Sequence, residues 1–498
     1  MSLLALDIGS SSCKAVAFSS DGSILARHSS SYTPQFPRPS HAEMDPGCFW
    51  DAFCDCARHV AEDLPSPVQA LSLSSHGETF IPTNQAGEAI GPAILNQDNR
   101  ATHEAEWIEK KLGQKRIFEI TGLVSHPMYP LPKLLWLRDR QPDLFCSAAR
   151  FVSVIGYILG RLGATPYGDY SLASRYLAFD VRQHRWSEEI LEAADLKPDR
   201  LPVAVPAGTI AYKINAAAAS QLGLPCGTPV VLGGHDQPCG AVGVGVIKEG
   251  QAADSIGTYE CVLVASDHPV LSEAALESCL NSYCHVVADR FVTIAYFPSG
   301  IMVKWFHDLL YGHENTSSSE SGHYASLEAN APERPTGLYI TPHLFGTCSP
   351  DFNPKARAMI YGLTAGTGRT EIYKGVLEGL ACELSLVTKL LTAAAGDFQD
   401  VHVSGGGTRS ALGLKLRAAL TGKRLHVMRS PEAVCLGGAI LAGVAVGEFK
   451  DVEEAVRAMM REEAVIEPDT KLADAYSEQL KRYQFLRSSL SAWSKEER

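Results

Sequence analysis

The chain has 498 residues, more than one ordinary hydrophobic core organises, so we expect two domains of about 250 residues each. Its formal net charge of −12, with 45% hydrophobic and 20% charged residues, is typical of a soluble globular protein and excludes general electrostatic attraction to nucleic acid or an anionic membrane. Any anionic ligand must therefore be bound by a local site.

The start of the chain predicts a cytoplasmic protein. The apolar run in MSLLALD is too short for a signal peptide, and no window supplies about 18 uninterrupted apolar residues for a membrane span. The 13 cysteines are odd in number and scattered, which favours reduced thiols over a disulfide framework.

The first predicted elements are strands at 3–8 and 15–18, joined by the polar segment 9–14 and followed by a turn and the strand SILA. A turn rich in glycine and serine exposes backbone N–H groups and hydroxyl donors, which suits nucleotide phosphates. Lys14 adds positive charge, and Asp7 suits a hydrated Mg²⁺ ion. An ordinary Ser/Gly hairpin is the alternative for this stretch alone.

A helix is predicted over 46–63, capped by Asp45 and Pro46, and a strand over 70–75 continues an alternating α/β pattern. Three cysteines of the helix, Cys48, Cys54 and Cys56, lie near His59. Since paired CxxC spacing is missing, we favour helix packing over a metal site for them.

A glycine-rich zone over 230–264 lies near the middle of the chain, and we place a domain boundary there, giving domains 1–246 and 247–498. Within it, ADSIGTYECVLV is similar to LALDIGSSSCKAVAF: an acidic residue, then Ile-Gly, a hydroxyl residue and a β-rich run. Such a repeat half a chain later predicts a similar hairpin in each half, facing a shared cleft.

A third glycine cluster, over 401–422, predicts a strand, a tight turn at 405–407 and an amphipathic helix. Glycines at a helix start let an anionic or flat ligand approach the backbone, although packing alone also explains them. The GxxxxGK[ST] motif is absent, and glycines 240, 243, 245 and 250 do not fit GxGxxG, so neither a P-loop nor a Rossmann site is supported.

Ten motifs in order make the chain resemble the FGGY carbohydrate kinases over essentially its whole length. They are DIGSSSCK (7–14), LSSHGETFIPTNQAG (73–87), ILNQDNR (94–100), YPLPKLLWLRD (129–139), GGHDQPCGAVG (233–243), SIGTYE (255–260), FNPKARAMIYGLT (352–364), YKGVLEGLA (373–381), VSGGGTRSALGLKL (403–416) and EAVCLGGAILAG (432–443). The resemblance implies an α/β fold of two actin-like (ribonuclease H-like) domains around a central cleft, with sugar bound mainly by the first domain and ATP mainly by the second.

The resemblance also implies roles for individual residues. Asp236 is the expected catalytic base, which accepts the proton of the attacking sugar hydroxyl. On the nucleotide side, with ATP and Mg²⁺ as cofactors, the residues are Asp7 (Mg²⁺ through water), Ser10, Ser11, Lys14, Gly257, Thr258, Lys304, Gly406, Gly407 and Arg409. The expected sugar-contacting residues are His76, Glu78, Gln97, Asp98 and Gln237. Without the resemblance, Asp236 is equally a turn-forming aspartate.

Structural roles are expected for two other conspicuous motifs. Lys133 and Trp136 of KLLW fit a helix with its aromatic ring in the core, and Gly437 and Gly438 fit close helix packing near the nucleotide.

The sequence departs from the family in the predicted sugar site. Asn96 and Met128 stand where relatives carry aromatic residues that pack on a small substrate, which argues against a standard glycerol site. We therefore favour a ketopentose such as xylulose, with glycerol, another polyol or a sugar acid as alternatives. A partner-driven ATPase of the actin or Hsp70 type and an inactive sugar sensor are more distant alternatives. A homodimer is compatible with the resemblance, but no interface is legible in the sequence.

Overall fold

The structure, a computed structural model, describes residues 2–312 and 317–496. Among these residues the strands are β1 (Ser2–Ile8), β2 (Ser12–Phe18), β3 (Ile24–Ser31), β4 (Glu43–Met44), β5 (Val68–Ser75), β6 (Ile81–Thr83), β7 (Ala93–Ile94), β8 (Arg150–Val152), β9 (Tyr167–Asp169), β10 (Phe179–Asp180), β11 (Arg185–Trp186), β12 (Val203–Val205), β13 (Ile210–Lys213), β14 (Pro229–His235), β15 (Ala252–Ile256), β16 (Tyr259–Ser266), β17 (Asn281–Cys284), β18 (Phe291–Pro298), β19 (Tyr339–Thr341), β20 (Met359–Tyr361), β21 (Asp400–Ser404), β22 (Arg424–Met428) and β23 (Glu462–Ile466).

The α-helices of the same residues are α1 (Pro46–Asp63), α2 (Thr102–Leu112), α3 (Gln114–Thr121), α4 (Pro130–Arg140), α5 (Pro142–Ser147), α6 (Val154–Arg161), α7 (Tyr170–Ser174), α8 (Glu188–Ala194), α9 (Ala216–Leu222), α10 (Asp236–Gly243), α11 (Glu273–Glu277), α12 (Gly300–Tyr311), α13 (Ser317–Ala329), α14 (Arg369–Ala395), α15 (Ala411–Thr421), α16 (Ala433–Ala445), α17 (Val452–Met459) and α18 (Thr470–Glu496). Short 3-10 helices lie at Pro198–Arg200 and Gly406–Arg409.

Two large sheets share one topology. The first has the order β13-β14-β5-β1-β2-β3, and the second β17-β18-β16-β15-β21-β22-β23. In the first sheet the antiparallel hairpin β1–β2 is followed by the parallel strands β5 and β14 and by the antiparallel edge strand β13. In the second sheet the hairpin β15–β16 is followed in the same way by the parallel strands β21 and β22 and by the antiparallel edge strand β23. The repeated sequence pattern therefore corresponds to the same hairpin in two equivalent sheets. The domain division at residues 246 and 247 stays a prediction.

The N-terminal elements form where the sequence predicted them. Helix α1 covers the predicted 46–63, and the Asp45 side chain accepts a hydrogen bond from the Gly47 N–H at 2.9 Å, which satisfies one free donor at the helix start. The predicted strand over 70–75 is longer, Val68–Ser75, because two further residues extend the ladder to β1.

Two helices cross between the sheets and pack on each other. Helix α10 follows β14 of the first sheet, whereas α16, from the C-terminal half, packs its apolar side on β1, β5 and β14. Glycines make this contact possible: a Cβ on Gly437 would lie 1.8 Å from the Cys239 carbonyl oxygen, and one on Gly243 would lie 1.9 Å from that of Ala433. The packing role expected for Gly437 is therefore confirmed by its geometry.

Trp136 packs against the edge of a buried apolar cluster rather than inside it. Trp136 is only half-buried on α4, and the Arg100 guanidinium lies over its ring at 4.9 Å. Lys133 is instead the fully buried residue, and its ammonium group donates to the Leu95 carbonyl at 2.6 Å. Burial lowers the pKa of Lys133 to about 7, and the Leu95 carbonyl satisfies one of its donors.

No helix of the described residues combines the length and the apolar composition needed to cross a bilayer.

Candidate active site

The first component of the site is the turn between β1 and β2. Asp7 lies directly opposite Lys14 in the hairpin register. The turn closes through the Gly9 N–H, which donates to the Ser12 carbonyl at 2.9 Å, and the Tyr32 hydroxyl donates to the Gly9 carbonyl at 2.6 Å. These contacts leave the Ser10 and Ser11 segment projecting from the sheet edge, as a phosphate-binding turn requires.

Asp7 has the unsatisfied acceptor expected of a site that holds a hydrated cation. Its Oδ1 atom is buried, and no described residue donates to it. Burial raises the pKa of this carboxyl to about 6, and the nearby Lys14 ammonium only partly offsets that rise. A water molecule bound to Mg²⁺ would supply the missing donor, so the residue fits the ion.

Lys14 already has a partner in the structure. Its Nζ lies 2.6 Å from Oε2 of Glu432, the residue that precedes α16. Sequence reasoning missed Glu432, although it opens the motif EAVCLGGAILAG. Nothing local signals the contact, because it forms only when α16 crosses to the first sheet.

Asp236 begins α10 directly after β14. Strands β1 and β14 are the two parallel neighbours of β5, and their last residues Ile8 and His235 both pair with Ser75. Asp7 and Asp236, each adjacent to one of these residues, therefore lie at the same edge of the sheet. Burial, then the charges of Asp7 and Glu78, raise the pKa of Asp236 well above its usual range.

His235 supports Asp236 without carrying charge. Its Nε2 lies 3.2 Å from the Asp236 carboxylate, and its Nδ1 lies 3.1 Å from the Tyr283 hydroxyl. Burial lowers the pKa of His235 to about 3, so the ring is neutral and its contact with Asp236 is not an ion pair.

Glu78 forms a buried ion pair beside this carboxylate. The Arg175 Nε donates to Glu78 Oε1 at 2.6 Å, and the two side chains are 5% and 6% exposed. Although burial opposes its charge, Arg175 keeps the pKa of Glu78 below its usual range. The Arg175 guanidinium stacks over the rings of Tyr129 and Tyr283, and no described residue accepts from its buried Nη1.

His76 lies at the same sheet edge with both ring nitrogens occupied. Nδ1 lies 2.9 Å from the Ile8 carbonyl and Nε2 lies 2.7 Å from the Thr79 hydroxyl. Burial lowers its pKa, so the ring is neutral at physiological pH. In this arrangement His76 links the end of β1 to the segment that carries Glu78.

The remaining predicted sugar residues divide by exposure. Asp98 is fully buried, receives the Arg100 guanidinium at 2.7 Å and accepts from the Ala42 N–H at 2.6 Å. Gln97 is exposed and lines a surface cavity of about 510 Å³ with the segment 36–42. Gln237, next to Asp236, is half-buried.

On the second sheet, the predicted nucleotide turns meet at the end of β15. The Gly257 carbonyl accepts from the Gly300 N–H at 3.0 Å, and the Thr258 carbonyl accepts from the Ser299 N–H at 3.1 Å. Strands β15 and β21 are parallel neighbours, so the turn Gly406–Arg409 that follows β21 lies beside Ile256 at the end of β15. The contact is close, since a Cβ on Gly407 would lie 2.1 Å from Cγ2 of Ile256.

Two predicted nucleotide-side cations lie on the same domain. Lys304 is 65% exposed and pairs with Asp308, one turn along α12, at 3.0 Å. The Arg409 Nε donates to the Gly406 carbonyl at 3.3 Å, within its own turn. Both side chains are near the surface, and these contacts among the described residues are local.

An aromatic wall from the second domain adjoins the sugar-side residues. Phe352 packs against His126 of the first domain and Tyr296 of β18, with ring centroids 5.8 and 5.5 Å apart. Its loop is anchored to α18, since Asp351 receives Arg487 at 3.2 Å. Tyr296 lies opposite Cys261 in the β16–β18 pair.

Comparisons with known proteins agree with this architecture. Residues 2–243 match the model of the FGGY family of carbohydrate kinases, N-terminal domain, and residues 252–446 match the C-terminal domain of that family. The chain is 29% identical to a gluconokinase of Bacillus subtilis over 456 residues, covering 90% of this chain and 88% of that one. It is also 29% identical to a xylulose kinase of Escherichia coli over 478 residues, covering 95% and 96%.

A ligand-bound xylulose kinase from Lactobacillus acidophilus has a similar structure, with a TM-score of 0.90 at 23% identity, covering 99% of this chain and 98% of that one. The predicted fold of two actin-like domains is therefore confirmed.

Proposed function

Because the chain belongs to the FGGY family of carbohydrate kinases and is thus a phosphotransferase with an alcohol as acceptor, we propose that it transfers the γ-phosphoryl group of MgATP to a terminal primary hydroxyl of a small sugar. One observation carries the proposal for this chain. Asp7, at the end of β1 beside the candidate phosphate turn, and Asp236, at the start of α10, stand at one edge of the first sheet, and the charge of Asp7 contributes to the raised pKa of Asp236.

Asp236 acts as the general base. Phosphoryl transfer has a loose transition state, so the protein contributes mainly by placing the groups and stabilising charge, and the base takes the hydroxyl proton as the new P–O bond forms. A raised pKa brings the carboxyl closer to the pH at which the enzyme works, which makes it a better proton acceptor. The neutral ring of His235 holds the carboxylate in place.

The nucleotide phosphates are bound between the two hairpin turns. Ser10 and Ser11 donate from the first turn, while Thr258 donates from the second. Gly257, whose N–H donates to the Tyr259 carbonyl at 3.1 Å, keeps the second turn compact so that a phosphate can approach it. Asp7 Oδ1 would hold a water of the Mg²⁺ ion that accompanies ATP, and that ion would supply charge neutralisation for the phosphates. Lys14 exchanges its contact with Glu432 for a phosphate oxygen when the nucleotide arrives.

Gly406, Gly407 and Arg409 line the adenosine side, where the missing side chain of Gly406 lets the flat base approach the backbone and Gly407 lets the turn pack on Ile256. Lys304 lies on the same side and is free to turn from Asp308 to the nucleotide, because it is exposed and held by one surface pair.

The sugar is bound by hydrogen-bonding groups around Asp236, and we favour a ketopentose such as xylulose. Glu78 and Gln237 hydrogen-bond the sugar hydroxyl groups. The polar atoms of His76 and Asp98 are already hydrogen-bonded within the protein, so these two residues position the segments that carry the sugar contacts. Gln97 joins the site from its exposed turn. The aromatic wall of Phe352 and Tyr296 offers the carbon chain an apolar face in place of the aromatics missing at Asn96 and Met128.

A sugar acid is the second candidate, because of one observation. The buried Arg175 Nη1 has no acceptor among the described residues, and a carboxylate would satisfy it through a charge-assisted hydrogen bond. A xylulose-type substrate would offer only a hydroxyl or carbonyl oxygen at this point.

The test is ADP release with MgATP across D-xylulose, L-xylulose, ribulose, gluconate, glycerol, erythritol and sorbitol. We expect one sugar to give a dominant kcat/KM, and either a ketopentose or gluconate to be that sugar. ATP hydrolysis indifferent to every sugar would contradict the kinase assignment and favour a partner-driven ATPase; tight sugar binding without ADP release would favour a sensor.

A further inference from the structure

A cluster of potential metal ligands lies on the face of the first sheet that α1 covers. We call it the His28 cluster: His28 on β3, and Asp55, Cys56 and His59 on α1. One nitrogen of His28, one carboxylate oxygen of Asp55 and the sulfur of Cys56 all lie within 4.8 Å of one another. These residues have no part in the proposed kinase mechanism.

The fold brings these groups together from two elements. His28 pairs with Ala15 across the β2–β3 ladder, so its side chain leaves the sheet on the face that α1 covers. On α1, Asp55 and His59 are one turn apart and Cys56 adjoins Asp55. The cluster is therefore fixed by a strand and a helix, both of which are more rigid than a loop.

The contacts within the cluster already orient the ligands. His28 Nε2 lies 3.2 Å from Asp55 Oδ2, and the His28 and His59 rings stack at 4.2 Å with an interplanar angle of 9°. His59 Nδ1 lies 2.9 Å from the Asp55 carbonyl and 3.2 Å from Asp55 Oδ1, which fixes the stacking ring. The Cys56 thiol donates to the Cys13 carbonyl at 3.4 Å.

Exposure permits an ion to enter from one side. The side chains of His28 and Asp55 are 34% and 41% exposed, whereas Cys56 is fully buried. A tetrahedral ion with bonds of about 2.0–2.3 Å needs ligand atoms roughly 3.3–3.8 Å apart. The His28–Asp55 separation is already 3.2 Å, so only the distances to the Cys56 sulfur, each at most 4.8 Å, have to shorten, and rotation of the two partly exposed side chains can do this.

From this geometry we propose that His28, Asp55 and Cys56 bind Zn²⁺ or another borderline divalent cation, with water as the fourth ligand. Imidazole nitrogen, carboxylate oxygen and thiolate sulfur are together the donor set of such ions, whereas Mg²⁺ prefers oxygen alone. On binding, the Cys56 S–H bond breaks, an S–metal bond forms and the proton leaves to solvent. His59 is a positioning residue, because it stacks on His28 and donates to the helix backbone.

Binding has a defined structural consequence. β3 is the edge strand of the first sheet, and the ion would tie it to α1. The chain continues from β3 to Tyr32, whose N–H donates to the Ser11 carbonyl at 3.0 Å and whose hydroxyl contacts the Gly9 carbonyl. An ion in the His28 cluster would thus stabilise the strand that supports the phosphate turn.

The test uses Co²⁺ as the probe, without Mg²⁺ or nucleotide, in a background where the exposed Cys146 and Cys226 are replaced by serine. We expect one equivalent to bind with a thiolate-to-cobalt charge-transfer band that Zn²⁺ abolishes. Cys56→Ser should remove the band, and His28→Gln should weaken Co²⁺ affinity at least ~10-fold, the usual scale for losing a group that holds a metal. Cys48→Ser, on the same helix, is the matched control and should change nothing.

The proposal is overturned if no saturable one-equivalent binding occurs, if the band survives in Cys56→Ser, or if Cys48→Ser removes it equally. Circular dichroism checks that each variant is folded. Should Cys56→Ser not fold, His28→Gln and Asp55→Asn decide the question, because both residues are at the surface; unchanged Co²⁺ affinity in both would overturn the site. Sugar-dependent ADP release is measured separately and is independent of this outcome.

Discussion

Lys14 and Glu432 stand 418 positions apart in the chain, yet their side chains form an ion pair of 2.6 Å between the phosphate turn and the crossing helix α16. The lysine therefore has its charge balanced before a nucleotide arrives. This gives the enzyme a cation that is held in position by an acid from the opposite half of the sequence.

Lys14→Met should lower kcat/KM for ATP at least ~10-fold, corresponding to about 1.4 kcal/mol of lost phosphate interaction. Steady-state kinetics with ATP varied at saturating sugar would measure it. Arg27→Met is the matched control, because Arg27 also faces Glu432, at 3.8 Å, but is 65% exposed and outside the turn. Equal losses in both variants would refute a specific role for Lys14.

Asp236→Ala should lower kcat by at least ~10²-fold while sugar and ATP binding remain largely intact, because removal of a general base affects the proton transfer rather than the ground-state contacts. Isothermal titration and single-turnover ADP release would separate the two effects. Asp139→Ala, at a half-exposed position on α4, serves as the control. Near-wild-type turnover in the Asp236 variant would exclude it as the base.

Asp7→Asn should abolish most activity but stabilise the folded protein above neutral pH. The pKa of Asp7 is raised to about 6 from 3.8, so the native state binds its proton more tightly than the unfolded state. The protonated carboxyl therefore contributes favourably to the free energy of unfolding below the pKa of the unfolded state. This contribution is lost as the pH rises through about 6, where Asp7 becomes a buried charge.

The Asn variant removes that charge, so its Tm should exceed that of the wild type by roughly 2 °C or more at pH 8, and the gain should shrink toward pH 4. Differential scanning calorimetry across this range, without Mg²⁺ or nucleotide, measures the difference. A gain independent of pH would mean that the stabilisation has another cause.

Phe352→Ala should raise KM for the sugar about 10-fold with little change in KM for ATP, because it removes an aromatic face from the sugar side of the cleft only. Phe345→Ala is the control, since Phe345 belongs to the same loop region but is 67% exposed. The kinetics are measured with the best sugar of the substrate panel. A change confined to the ATP KM would place Phe352 outside the sugar pocket.

Gly437→Ala should destabilise the protein by about 1–3 kcal/mol, the usual cost of overpacking. The new Cβ would lie 1.8 Å from the Cys239 carbonyl oxygen, so α10 and α16 would have to separate. Gly240→Ala on α10 is the control, because its Cβ would meet only Val434 Cγ2 at 3.5 Å. Urea unfolding compares the two; equal stability would show that the helix crossing can relax.

The sequence by itself determined the local elements and the family. Gly9 and the serines after it, between two apolar runs, predict the hairpin turn; Asp45 and Pro46 set the start of α1 to the residue; and ten motifs in order predict two actin-like kinase domains. The turn and the helix start depend on neighbours within a few residues, and the family resemblance depends on the order of motifs alone. Both can therefore be predicted from the sequence without tertiary contacts.

The tertiary structure decided which polar atoms are still available for ligands. Glu432 forms an ion pair with Lys14, and Asp98 forms one with Arg100. Both ring nitrogens of His76 are hydrogen-bonded, whereas Asp7 Oδ1 has no partner among the described residues. The tertiary structure also brings Phe352 to His126 across the cleft. The pairs Lys14–Glu432, His76–Ile8 and Phe352–His126 join segments far apart in the chain, so no local sequence pattern could have predicted them. The Asp98–Arg100 pair is local, two residues apart, but its burial depends on the packing of the whole domain.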